Sequence, residues 1–236
     1  MNEIQKKTME LLKELDCICR SSGITYFLAP GTLALFHVYR GHSPYSVNLN
    51  ILVPAGQILR LTDILSERKD DRRELQYMGN YSRHADYQVL YVDRTTTFID
   101  LRQGWNNRAF GARIVITPLR NEISGIRKTI LGSLETGWEC NGYRLTGKLR
   151  PKRIISMAAV RAAMIAGRGR LARYLFRNSM KAYGSAMPDS GELVIRRPKR
   201  RSRYVDAGFF RDTEDMIIDG HKFCVPADPA GFLSAY

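Results

Sequence analysis

The chain has 236 residues, 44% of them hydrophobic, and a formal net charge of +14. This length and composition describe a globular protein with a core of its own, and they exclude a disordered chain. No apolar run is long enough to cross a bilayer and the N-terminus opens on a charged amphipathic segment, so neither a span nor a signal peptide is expected; the expected location is cytoplasmic, extending to a peripheral position at the inner membrane face.

Asn2 caps a predicted helix running to residue 22, with Ile4, Thr8, Leu11, Leu12, Leu15 and Ile18 at helical spacing and Gly23 ending it. Residues 24–28 read as a short strand. Gly31 and Thr32 then open an apolar helix over 33–39, and Gly41 and Pro44 form a turn. Over 46–53 the pattern alternates, with Val47, Leu49, Ile51 and Val53 between Ser46, Asn48 and Asn50. Residues two apart on a strand share a face, so Asn48 and Asn50 project side by side near the Gly31–Thr32 helix start. This is the layout of a nucleotide and metal pocket without the carboxylates that a hard cation requires. The bland alternative is two polar residues on a half-buried strand.

Residues 55–69 read as a helix with an Ile58, Leu61, Ile64 and Leu65 stripe. Residues 74–78, 87–92 and 95–101 read as strands, followed by a loop over 104–111. A strand over 112–117 is expected to stop at Pro118, and a helix is expected over 122–139. Further on, 153–168 and 170–183 read as one or two helices, and 184–191 as a linker. Met216 to Phe223 encloses an Asp219–Gly220 hairpin turn. Asp228 and Pro229 open a last helix that packs through Phe232 and Leu233.

Charge is concentrated in one place. Between residues 144 and 203 there are 17 Lys/Arg against two acids, Asp189 and Glu192, so this segment accounts for the whole net charge. Its helical part offers Arg161, Arg168, Arg170, Arg173 and Arg177. Its end, RRPKRRSR at 196–203, includes Arg200 and Arg201. Such a face suits an anionic membrane surface. Nucleic acid, with Tyr174, Phe176 or Tyr183 stacking on bases, is the less favoured partner, and a solvated helix is the neutral reading.

Other chemistry is sparse. Cys17, Cys19, Cys140 and Cys224 lack CxxC or Cys/His spacing and are expected to be buried free thiols. His37, His42, His84 and His221 lack zinc-type spacing and are read as structural. Asp93 and Asp100 have two readings, as acids that stand in at the Asn48/Asn50 pocket or as surface acids; Arg40 and His42 follow its helix as candidates to touch phosphate. No P-loop, no strand-borne GxGxxG and no GxSxG is present.

Residues 11–51 carry Gly23–Ile24, Tyr26–Phe27–Leu28, Gly31–Thr32–Leu33, Gly41, Pro44, Leu49 and Ile51 in a pattern that resembles the start of a LicD-family phosphotransferase domain. That family includes fukutin-related proteins and is nucleotidyltransferase-like. Residues 114–120 and 209–236 are similar, more weakly, to later family segments. The resemblance implies an α/β (α+β) fold: a nucleotidyltransferase-like core with a small mixed sheet, flanking helices and a basic helical insertion. It also implies continuation beyond Tyr236.

Family members use carboxylates to hold magnesium and transfer phosphocholine, or a related phospho-alcohol, from a CDP-linked donor to cell-surface glycans. Here Asn48, Asn50, Val115 and Arg120 stand at family carboxylate positions, so no catalytic residue, metal or cofactor is assigned. Whether the chain is an enzyme is left open. The resemblance makes Gly31, Thr32 and Arg40 the nucleotide-binding candidates. The reading is a LicD-like protein with lost metal chemistry and a binding or regulatory role, its partners a CDP-linked nucleotide, a lipid-linked glycan or a partner transferase. The alternatives are an active transferase with a non-standard site and a nucleic-acid-binding protein. The expected division is 1–143 core, 144–203 basic arm and linker, and 204–236 returning to the core.

Overall fold

The computed structural model describes residues 3–39, 49–68, 70–80, 87–97, 111–123, 125–142, 155, 158, 162, 170–184, 191–196 and 202–236. Helix α1 (Glu3–Ser21) buries Met9, Leu11, Leu12, Leu15, Ile18 and Cys19 along one side. It ends as the glycine foretold. Gly23 takes φ 62°, Ile24 N–H donates to Cys19 O at 2.8 Å and Gly23 N–H to Arg20 O at 3.2 Å. This paired closure satisfies two carbonyls that the helix end leaves open.

Strand β1 (Phe27–Leu28) runs antiparallel to β2 (Leu49–Pro54), and α2 (Pro30–Tyr39) lies between them in sequence. Helix α3 (Ala55–Glu67) follows directly, burying Ile58, Leu61 and Leu65. Then come β3 (Arg73–Gln76), β4 (Val89–Asp93), β5 (Arg113–Asn121) and α4 (Gly125–Gly142). Beyond them lie α5 (Arg170–Tyr183), β6 (Glu192–Ile195), β7 (Arg203–Asp206), a 3-10 turn (Ala207–Phe210), β8 (Thr213–Ile218), β9 (His221–Pro226) and α6 (Pro229–Ala235).

The main sheet is mixed, which gives an α+β architecture of helices over a seven-stranded sheet. Its order is β1-β2-β5-β4-β3; β2 is parallel to β5, and β4 and β6 are antiparallel to it. Helices α1 and α3 lie over this sheet, and α5 lies against α3. A side chain at Gly184 would meet Met180 O at 2.4 Å and Gly56 Cα at 2.6 Å, so α3 and the end of α5 touch through two glycines.

Three expectations change. Strand β5 does not stop at Pro118. Its antiparallel pairing with β4 stops at Val89 opposite Ile116 and its pairing with β6 starts at Ile195 opposite Leu119, so the proline falls in the gap between them. Thr95 and Thr96 form a turn and not a strand, because Thr95 N–H and Thr96 Oγ1 bond back to Asp93; residues 98–101 lie outside the described residues. The segment read as a basic arm contributes to the core itself: Ala172, Phe176 and Met180 of α5 are buried and β6 joins the main sheet.

The C-terminal elements follow the local signals. Asp219 and Gly220 have φ 48° and 73°, as a tight hairpin turn requires. Asp228 accepts from Gly231 N–H at 2.8 Å and Phe232 is fully buried.

Candidate functional site

The start of α2 is pinned to Asn50. Asn50 N–H donates to Thr32 Oγ1 at 2.7 Å, and Asn50 C=O accepts from Ala29 N–H at 3.0 Å. Thr32 is 1% exposed, so this hydrogen bond is shielded from water. Gly31 and Thr32 thus sit beside Asn50. In register, Asn50 faces Val115 across the parallel β2–β5 pair, and Val115 faces Leu90 of β4. Residues matched in register share a face. Leu90, Val92 and Val115 form a small apolar cluster there, separate from the main core.

The side-chain Oδ1 of Asn50 is buried and has no hydrogen-bond partner among the described residues. Where β2, β5 and β4 pair beside it, this face carries Leu52, Arg113, Val115, Thr117, Leu90 and Val92, none of them an acid. Glu74 of β3 shares the face but lies three strand spacings from β2, about 14 Å. One amide oxygen and an isopropyl group do not suit magnesium, which needs octahedral oxygen ligands anchored by carboxylate. The described residues here therefore do not fit that ion.

Asp93 does not supply the missing charge. It lies on the opposite face, where Arg73 Nη1 contacts its Oδ2 at 2.7 Å and Thr95 N–H donates to its Oδ1 at 2.7 Å. Arg120 is also elsewhere: five residues beyond Val115 along β5, it is about 16 Å away. Its Nη1 donates to the buried Glu135 Oε1 at 2.7 Å, and its guanidinium lies over the Tyr87 and Tyr183 rings at 5.0 and 4.6 Å. Arg196 Nη1 holds the second oxygen of Glu135 at 2.6 Å, and Tyr183 O–H donates to the first at 3.1 Å. Burial, with Glu135 nearby, pushes the Tyr87 hydroxyl up to about 12. These residues lock α4, β5 and α5 together.

Of the basic candidates, Arg170, Arg173 and Arg177 are exposed along α5 with Tyr174 and Lys181, and Arg173 Nε donates to Gly79 O at 3.0 Å. Asn48, Arg40, His42, Asp100, Arg161, Arg168, Arg200 and Arg201 lie outside the described residues.

A second polar centre has no counterpart in the sequence reading. Asp16 on α1 is buried, and its Oδ1 accepts from Tyr26 O–H at 2.6 Å and from Arg20 Nε at 2.7 Å. Its Oδ2 lies 2.9 Å from His221 Nε2 on β9. Arg20 Nη2 reaches on to Asp215 Oδ1 of β8 at 2.7 Å, and this contact holds the Asp215 carboxyl below the usual range. Burial and the bond to Asp16 raise the Tyr26 hydroxyl, while burial pushes the Cys19 thiol up to about 12. Cys19 is buried as expected, but Cys17 is exposed, because it sits on the outer side of α1. No local spacing signals this cluster, since Asp16 and His221 are 205 residues apart.

Compared with family models, curated proteins and solved structures, the chain matches none. Among the described residues, no helix is long and apolar enough to cross a membrane.

Proposed function

We propose that this chain is a LicD-like protein of nucleotidyltransferase-like core, linked to phosphocholine or related phospho-alcohol decoration of cell-surface glycans, which has lost metal-dependent transfer and retains a binding role. The observation that carries the reading is the register pairing of Asn50 with Val115. These are two of the positions at which the LicD resemblance expects carboxylates, and a shared metal would need them adjacent. They are adjacent, and neither is an acid. The Thr32–Asn50 hydrogen bond supports the same reading, because it keeps the Gly31–Thr32 helix start beside them.

Phosphoryl transfer rests on positioning and on neutralising phosphate charge, so a pocket without metal ligands can still hold a nucleotide while catalysing poorly. The pocket's occupant in this reading is a CDP-linked nucleotide. The exposed Arg170, Arg173, Arg177 and Lys181 face of α5 would bring the protein to an anionic membrane surface at the cytoplasmic side, where a lipid-linked glycan acceptor or a partner transferase would be met.

Calorimetric titration of CDP-choline and CTP, with and without magnesium, tests the proposal. Binding that is indifferent to magnesium is the expected result. Tight binding that requires magnesium would overturn the loss of metal chemistry, and no binding at all would remove the nucleotide role.

A further inference from the structure

We propose that Asp16, Cys17 and His221 form a binding site for a divalent transition metal of zinc type, separate from the Asn50–Val115 pocket. A carboxylate oxygen of Asp16, the Cys17 sulfur and an imidazole nitrogen of His221 all lie within 4.8 Å of one another. Two elements converge to make this cluster. Asp16 and Cys17 are consecutive on α1, and His221 is the first residue of β9, directly after the Asp219–Gly220 turn.

The ligand chemistry selects the metal. Mixed oxygen, sulfur and nitrogen donors suit zinc and its neighbours, whereas magnesium and calcium take oxygen alone. Three protein ligands leave a fourth position to water, the arrangement of open zinc sites. Cys17 is exposed and the His221 side chain is 27% exposed, so solvent metal has a path in.

Asp16 is already prepared to be a ligand. Tyr26 and Arg20 both hold Oδ1, which leaves Oδ2 directed at His221. Such outer partners orient a ligating carboxylate and are worth roughly 10–100-fold in metal affinity when removed. The charge also balances, because carboxylate and thiolate together neutralise a dication. The positive charge of Arg20 is shared with Asp215. Binding displaces the thiol proton of Cys17 and draws Asp16, Cys17 and His221 together around the ion.

The test uses the full chain, freed of metal and titrated with zinc and with cobalt(II). One equivalent of cobalt is expected to give tetrahedral ligand-field bands and a sulfur-to-cobalt charge-transfer band, and zinc is expected to displace it. Cys17→Ser, at an exposed position, should abolish the charge-transfer band, and Tyr26→Phe should weaken zinc binding by about 10–100-fold. Zinc binding by the unaltered chain that is no tighter than that of a Cys17→Ser/His221→Gln double variant would overturn the proposal. So would a cobalt complex without sulfur ligation. The cobalt spectrum is read in the unaltered chain alone, so a misfolded variant cannot obscure it, and the double variant is compared only after its melting temperature matches that of the parent. CDP-choline binding is measured separately and bears only on the pocket.

Discussion

Glu135 shows what a single buried side chain can carry. One carboxylate receives Arg120 on one oxygen and Arg196 on the other, with Tyr183 adding a hydroxyl. Its side chain is 1% exposed and that of Arg120 only 4%, so neither charge has water to fall back on. Truncating one member of such a pair leaves an uncompensated buried charge. Glu135→Ala is therefore expected to destabilise the fold by about 3–5 kcal/mol, read as a lower urea midpoint. Loss within a few tenths of a kcal/mol would mean that water reaches Arg120. The sequence offered Arg120 only as a basic residue at a family acid position. Its real partner is a glutamate fifteen residues on, in a helix whose rotation local spacing does not reveal.

At the scale of elements, local signals were read well where local physics decides. The Gly23 stop of α1, the Asp228 cap of α6 and the Asp219–Gly220 turn all work through residues within a few positions of each other. Gly220 sits at φ 73°, where a Cβ costs conformational energy although nothing crowds it. Gly220→Ala should cost about 1–2 kcal/mol and lower the melting temperature. An unchanged melting temperature would show that the turn relaxes to another type. The misreadings came from tertiary context. Pro118 looked like a strand end because its gap between β4 and β6 exists only in the assembled sheet. The Asn50 neighbourhood was legible because β2 alternation is local, but its pairing with Val115 crosses two other strands and a helix. Helix α5 looked like an appendage because its charge hid the buried stripe of Ala172, Phe176 and Met180 with which it enters the core.

At the scale of the whole molecule, the basic segment is both structural and superficial: one side of α5 closes the core, and the other offers Arg170, Arg173, Tyr174, Arg177 and Lys181 to solvent. Each basic residue near an anionic bilayer is worth about 1 kcal/mol. Arg170→Glu/Arg177→Glu/Lys181→Glu is expected to abolish cosedimentation with phosphatidylserine vesicles while leaving thermal stability nearly unchanged. Equal sedimentation of variant and parent would sink the membrane role. The closure of the chain on itself has a further consequence. Arg20 meets Asp215, Asp16 meets His221 and Tyr26 meets Cys224 across separations of 195, 205 and 198 residues. During synthesis the first helix therefore waits, its buried carboxylate lacking the His221 contact, until the last hairpin has been made. Contacts of such long range slow folding, and incomplete chains expose the surfaces they will later bury. A ribosome-bound chain halted before β9 should be a client of holding chaperones, and release of the final hairpin should be the event that lets the N-terminal helix settle.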